Sequence, residues 1–150
     1  FRSERTVIDF RGRVEFNGRC KIGAGSRVMV ATTGTLVFDD NFCNSSHLNI
    51  ICFKKIVFGT NNHFSWHTLV MDSDQHEVVD CTGQRVNEDA AVVFGDNVWC
   101  GCNAIVLKGT ELCSDVMVGA GSVVHGHYTT PHVILAGNPA KIVKEDVSLG

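Results

Sequence analysis

The chain lacks a basic run. Its 13 Lys and Arg are outnumbered by 16 Asp and Glu, for a formal net charge of −3, which sets aside a nucleic-acid partner, because phosphate neutralisation needs concentrated positive charge. No apolar stretch approaches the ~20 residues of a membrane span, and no secretory leader is visible. Paired Cys-x-x-Cys motifs are also missing, although there are seven cysteines. Cys100-Gly101-Cys102 is too closely spaced for a zinc knuckle, so free, reduced thiols acting as small hydrophobes fit better, with no metal expected. No linker divides the 150 residues, and 44% of them are apolar, enough for one continuous core. The expectation is one domain over 1–150, opening at Phe1 without Met in a way that allows for a truncated N-terminus.

What is present is a period. From Phe94 onwards a core-type residue recurs at every sixth position: Phe94, Cys100, Val106, Leu112, Val118 and Val124. Six suits neither a helix nor a plain strand, but it does suit short strands joined by tight turns. Two further registers agree with it. Val98, Ala104, Thr110, Val116 and Ser122 are small or β-branched, fit to fill a narrow interior. Asn97, Asn103, Gly109, Asp115 and Gly121 are types that tolerate a left-handed backbone, as a corner requires. Three hexads then close one triangular coil, stacking Phe94 on Leu112, Cys100 on Val118 and Val106 on Val124.

Upstream the period is rougher. Phe10, Phe16, Ile22 and Val28 keep it, with Val14, Cys20, Ser26 and Thr32 in the small register. The frame slips around Gly34, leaving Leu36, Phe42 and Leu48 in a shifted frame, and Cys52, Phe58, Phe64 and Val70 restore it, with Asn61 and His67 at corners. Over 75–93 the repeat is absent and the segment is polar, the mark of a functional loop set into a repeat array.

Trp99-Cys100-Gly101, Val106-Leu107-Lys108-Gly109, Val118-Gly119-Ala120-Gly121-Ser122-Val123-Val124 and Ala136-Gly137-Asn138-Pro139-Ala140-Lys141 resemble the hexapeptide-repeat acyltransferases. The likeness runs from about Ile22 to Lys144. Phe64-Ser65-Trp66 followed by Met71-Asp72-Ser73-Asp74-Gln75-His76 narrows it to the bacterial sugar and polysaccharide O-acetyltransferases. The resemblance implies an all-β fold, a left-handed parallel β-helix, with the long loop at about 75–93 and a short helical tail after Pro139 that carries Lys141. It also implies a cytoplasmic homotrimer with acetyl-coenzyme A as acyl donor, a sugar or polysaccharide precursor as acceptor, and direct transfer in a ternary complex at sites shared by two subunits.

An alcohol is a poor nucleophile until a base takes its proton, and a neutral imidazole suits that task near pH 7. His76 lies just past the last coil position, Val70, with Asp72 and Asp74 before it. It occupies the place of the family's catalytic histidine. His76 is the expected general base, Asp74 the carboxylate that fixes its tautomer, and Asp72, with Trp66, the group nearer the acceptor. Side chains at 72, 74 and 76 share a face if the segment is extended.

Carried over from the family, Trp99 lies beside the thiol end of coenzyme A, Cys102, Gly119 and Ala120 along its pantetheine arm, and His125 and Lys141 near its nucleotide. The chain departs from the family pattern at Cys100, where an aliphatic is usual, at Cys102, where serine is frequent, and at His125-Gly126, where Thr-Lys is common. A ping-pong route through Cys102 or Cys113 ranks below direct transfer, since neither has an obvious paired base. Two other classes share the repeat: a γ-type carbonic anhydrase using His63, His67 and His76, whose spacing is one short of that family's usual pair, and a non-catalytic trimeric scaffold.

Overall fold

A computed structural model describes residues 4–150, so the first three residues of the expected domain lie outside it. Short strands, most carrying alternate side chains inward, wind into a three-sided coil stack. The first face is a parallel sheet of β1 (Val7–Phe10), β4 (Arg27–Val30), β7 (Asn49–Cys52), β10 (Leu69–Met71), β13 (Ile105–Val106) and β16 (Val123–Val124). The second holds β2 (Arg13–Phe16), β5 (Thr35–Phe38), β8 (Lys55–Phe58), β11 (Val92–Phe94), β14 (Glu111–Leu112) and β17 (His127–Tyr128). The third holds β3 (Cys20–Lys21), β6 (Phe42–Asn44), β9 (His63–Phe64), β12 (Trp99–Cys100), β15 (Val116–Val118), β18 (Val133–Gly137) and β19 (Ala140–Lys144).

All three registers from Phe94 to Val124 are realised. Phe94 pairs with Leu112, Cys100 with Val118 and Val106 with Val124, each eighteen residues on. The side chains of the core and small registers are buried. Asn97, Asn103, Gly109, Asp115 and Gly121 all have positive φ, so each hexad turns where its residue tolerates the left-handed backbone. Asn61 and His67 turn in the same way. Earlier coils are longer, Val28 pairing with Ile50 and Ile50 with Val70. That added length is the frame slip, and Leu36, Phe42 and Leu48 are buried in their shifted frame.

Aromatic rings fill the lower interior. Phe16, Phe38, Phe58 and Phe94 stack up the second face with centroids 5.4, 5.1 and 5.0 Å apart, while Phe42 and Phe64 pack across them from the third face. Deleting one such ring costs about 3–5 kcal/mol. At the corner between the second and third faces the side chains of Asn41, Asn61, Asn97 and Asp115 hydrogen-bond in sequence at 2.8, 3.1 and 3.0 Å, one bond per coil step.

Three expectations are corrected. Phe10 and Phe16 are 39% and 50% exposed, because their strands pair on one side only, and Thr32 is exposed at a corner. The long loop runs over 72–91, since Val92 and Val93 already belong to β11. The tail is not helical: Ala140–Lys144 pairs antiparallel with Val133–Gly137. Gly137, with φ 105°, turns the chain, and the β-branched pair Ile142-Val143 suits a strand paired to an open sheet edge. Among the described residues no helix is long and apolar enough to cross a membrane.

Candidate active site

The loop leaves the first face after Met71 and returns to the second at Val92, in place of the four-residue corner seen one coil above between β13 and β14. It is a folded finger. Val79 bridges Arg85, Val86 N–H donates to Val78 C=O at 2.8 Å, and Asp80 gathers Thr82 and Gln84 at its tip. Those bonds, the Thr82 hydroxyl foremost, hold the Asp80 carboxyl below its ordinary range. Lys54 Nζ ties the finger's far end by donating to Asp89 C=O at 3.0 Å.

Asp72 does not face an acceptor. Its side chain is wholly buried, and the carboxylate accepts the N–H groups of Phe53, Lys54 and Lys55 at 2.7, 2.8 and 2.7 Å. The turn between β7 and β8 exposes those three donors, and Asp72 in the next coil closes them off. It anchors the base of the loop.

Asp74 is also engaged, though not by His76. Its Oδ2 accepts Lys108 Nζ at 2.6 Å and Asn87 Nδ2 at 2.8 Å. Lys108 first, then Asn87, holds the carboxyl below the usual carboxylate range. Asn87 Nδ2 also reaches the C=O of His76 at 2.8 Å, and its Oδ1 accepts Val78 N–H at 2.7 Å. The backbone is therefore tied at the carbonyl of His76 and two residues beyond it. The imidazole is exposed and, among the described residues, makes no hydrogen bond. Asp74 fixes the segment, not the tautomer.

The other expected residues fall into separate places. Trp66, Cys102 and Ala120 stack at the corner between the third and first faces, where Asn103 N–H donates to Trp66 C=O and Gly121 N–H to Cys102 C=O, both at 2.9 Å. The backbone is close-packed at this edge: a Cβ on Gly101 would meet Ala120 N at 2.7 Å. On its outer side Gly121, at φ 69°, has nothing within 4 Å of where a Cβ would be. Gly119 lies at the same corner, against Ala136. His125 sits on the opposite edge of the first face, two coils above the loop, and Lys141 is exposed on β19. Trp99 stands on the third face between His63 and Met117, in an open groove of about 450 Å³ that Asn61, Asn97 and residues 148–150 also line.

Sequence spacing missed two functional candidates. Lys108 lies two residues past Val106, which stacks on Val70, so the coil map itself puts it above residue 72; the loop hides that register from any count along the chain. Asn87 gives no such signal, because its place depends on how the finger folds.

The seven cysteines are free. Burial pushes the Cys20 thiol up to about 11 and Cys52 to about 12, and raises Cys100 and Cys113 as well, which disfavours the thiolate a ping-pong route through Cys113 would need. The imidazole that does lie beside a thiol is His63, its Nδ1 at 3.3 Å from Cys43 Sγ. His63, His67 and His76 stand on the third face, at a corner and on the loop. Among the described residues no three metal-binding side chains come together within one chain.

No family model matches the chain. WbbJ of Escherichia coli K12, assigned as a lipopolysaccharide biosynthesis O-acetyl transferase, is 29% identical over 143 residues, covering 89% of this chain and 72% of that one. The galactoside O-acetyltransferase of the same organism is 32% identical over 54 residues, 36% of this chain and 26% of that one. Among solved structures, the polysialic acid O-acetyltransferase OatWY superposes with a TM-score of 0.65 at 24% identity, over 97% of this chain and 66% of that one. A galactoside acetyltransferase in complex with coenzyme A superposes at 0.57 and 16% identity, over 95% and 64%.

Fold and relatives define the class: the chain has the left-handed parallel β-helix of the hexapeptide-repeat acetyltransferases and is similar to them in sequence. Its named relatives by sequence include O-acetyltransferases, and these support an acyl-coenzyme A dependent acetyltransferase.

Proposed function

We propose that the protein moves an acetyl group from acetyl-coenzyme A to a hydroxyl of a sugar or cell-envelope polysaccharide precursor, with His76 as general base. The observation that carries this is an imidazole that makes no hydrogen bond among the described residues while Asn87 ties the backbone at the carbonyl of His76 and at the N–H of Val78. A base must reach the hydroxyl proton without rearranging. His76 accepts that proton as the oxygen attacks the thioester carbonyl, in direct transfer within a ternary complex.

When bound, acetyl-coenzyme A supplies an activated thioester carbonyl. Cys102, Gly119 and Ala120 would hold its pantetheine arm along their corner, with Trp99, His125 and Lys141 around its ends. The small side chains there, and the open outer side of Gly121, fit an arm lying against backbone. Trp66, exposed on the same edge, is the acceptor-side residue we retain; Asp72 is not.

That edge and the loop edge border opposite sides of the first face, so a site using both draws them from two copies of the chain. A homotrimer with three shared sites meets that need with one repeated interface. We place the reaction in the cytoplasm, the compartment of the donor.

Isothermal titration of the folded protein with acetyl-coenzyme A tests the reading, with saturation near one per subunit expected. A well-folded protein that binds none would overturn it.

A further inference from the structure

Lys108 belongs to the coil above the loop, on a short corner that is itself tightly bonded. Gly109 N–H donates to the carbonyls of Ala90 and Ala91 at 3.1 Å, and Thr110 Oγ1 donates to Leu107 C=O at 2.6 Å. From this base the lysine reaches back into the loop at two points, Asp74 Oδ2 at 2.6 Å and Asn87 C=O at 3.0 Å. Asn87 in turn holds Asp74, the carbonyl of His76 and the N–H of Val78. Residues 74, 76 and 78 are thus all fixed to one asparagine, and that asparagine and Asp74 are fixed to one ammonium. The ammonium is largely shielded from solvent by these contacts.

We propose that Lys108 is a positioning residue for His76, acting through Asp74 and Asn87 to hold the base at a set distance from the coil stack. The proposal rests on the reading of His76 as the base. A merely structural ion pair at a half-exposed site contributes little to stability and tolerates loss. A positioning pair loses turnover instead, because small displacements of a base are costly to the reaction.

The test reads His76 directly. In protein carrying ¹³C-labelled histidine, the Cε1–H resonance of His76 is assigned by its absence in His76→Ala. Lys108→Met is expected to shift or broaden that resonance while those of the other histidines hold, and to lower kcat for acetyl transfer to a free-sugar probe about 10–100-fold at unchanged KM for acetyl-coenzyme A. Lys108→Arg should restore the resonance and most of the rate. Asn87→Asp, which removes the two Nδ2–H donors while keeping shape, should disturb the same signal even if Lys108→Met fails to fold. An undisturbed His76 resonance in both Lys108→Met and Asn87→Asp overturns the proposal. Disturbed resonances with full turnover in His76→Ala would instead overturn the base reading beneath it.

Discussion

Val70 pairs with Val106 across the first face in parallel register, although the whole of the loop lies between them. The stack closes over the finger as if it were absent, since both flanking strands pair on each side with regular neighbours.

Excising residues 73–88 leaves Asp72, Asp89, Ala90 and Ala91 as a four-residue corner, the length found one coil above. The shortened protein should fold, keep a cooperative thermal transition and still bind acetyl-coenzyme A, while acetyl transfer disappears. Circular dichroism and titration check the first outcomes and a transfer assay the last; loss of the β signal would show that the finger is part of the fold.

His76→Ala should lower turnover by ~10²–10⁴-fold, the usual worth of a positioned general base. Because the imidazole makes no hydrogen bond among the described residues, melting temperature and donor affinity should stay at their wild-type values. Turnover within twofold of wild type would remove His76 from the chemistry.

Asp72→Ala should act in the opposite sense. It leaves three shielded N–H groups at 53, 54 and 55 without their acceptor, a loss of about 3 kcal/mol by the ordinary cost of unsatisfied donors. Chemical denaturation would report it as a lower midpoint. A stability equal to wild type with a raised KM for the acceptor would restore Asp72 to the substrate side.

The clamp on the loop should depend on pH. The Asp74 carboxyl is held below the usual carboxylate range by Lys108 and Asn87, so the folded state favours the ionised form. Its contribution is present above the unfolded value and lost as pH falls through the lower, folded one. Cleavage of the loop by pepsin should therefore rise steeply at the acid end of its range in wild type. Asp74→Asn should be cut readily throughout, with a flatter dependence. A wild-type loop equally resistant across that range would separate the clamp from the charge on Asp74.

Much of the stack could be read from residue types alone, because coil packing is local and periodic. A residue such as Asn97 or Gly121 needs only its own backbone to turn, and Val106 needs only to point inward, so both are legible one hexad at a time. Asp72 is different: its role depends on a turn in the coil below, seventeen to nineteen residues back, whose free N–H groups no spacing announces. The strand at Ala140–Lys144 likewise depends on an open edge at β18 that helix or strand propensity does not record. Asp74, expected just ahead of the loop and against His76, accepts Lys108 instead, and the lysine reaches it only through three-dimensional register.

The parallel pairing that carries one coil onto the next also sets distance. Successive strands of a sheet lie about 4.8 Å apart, and β10, β13 and β16 follow one another on the first face, so the loop and the corner of His125 are separated by a whole number of such steps. The stack is a ruler graduated in coils. Any long ligand laid along it would meet the chain's functional groups at intervals fixed by coil number, and inserting or removing one eighteen-residue coil between them would change its fit by one graduation while leaving each group's local geometry untouched.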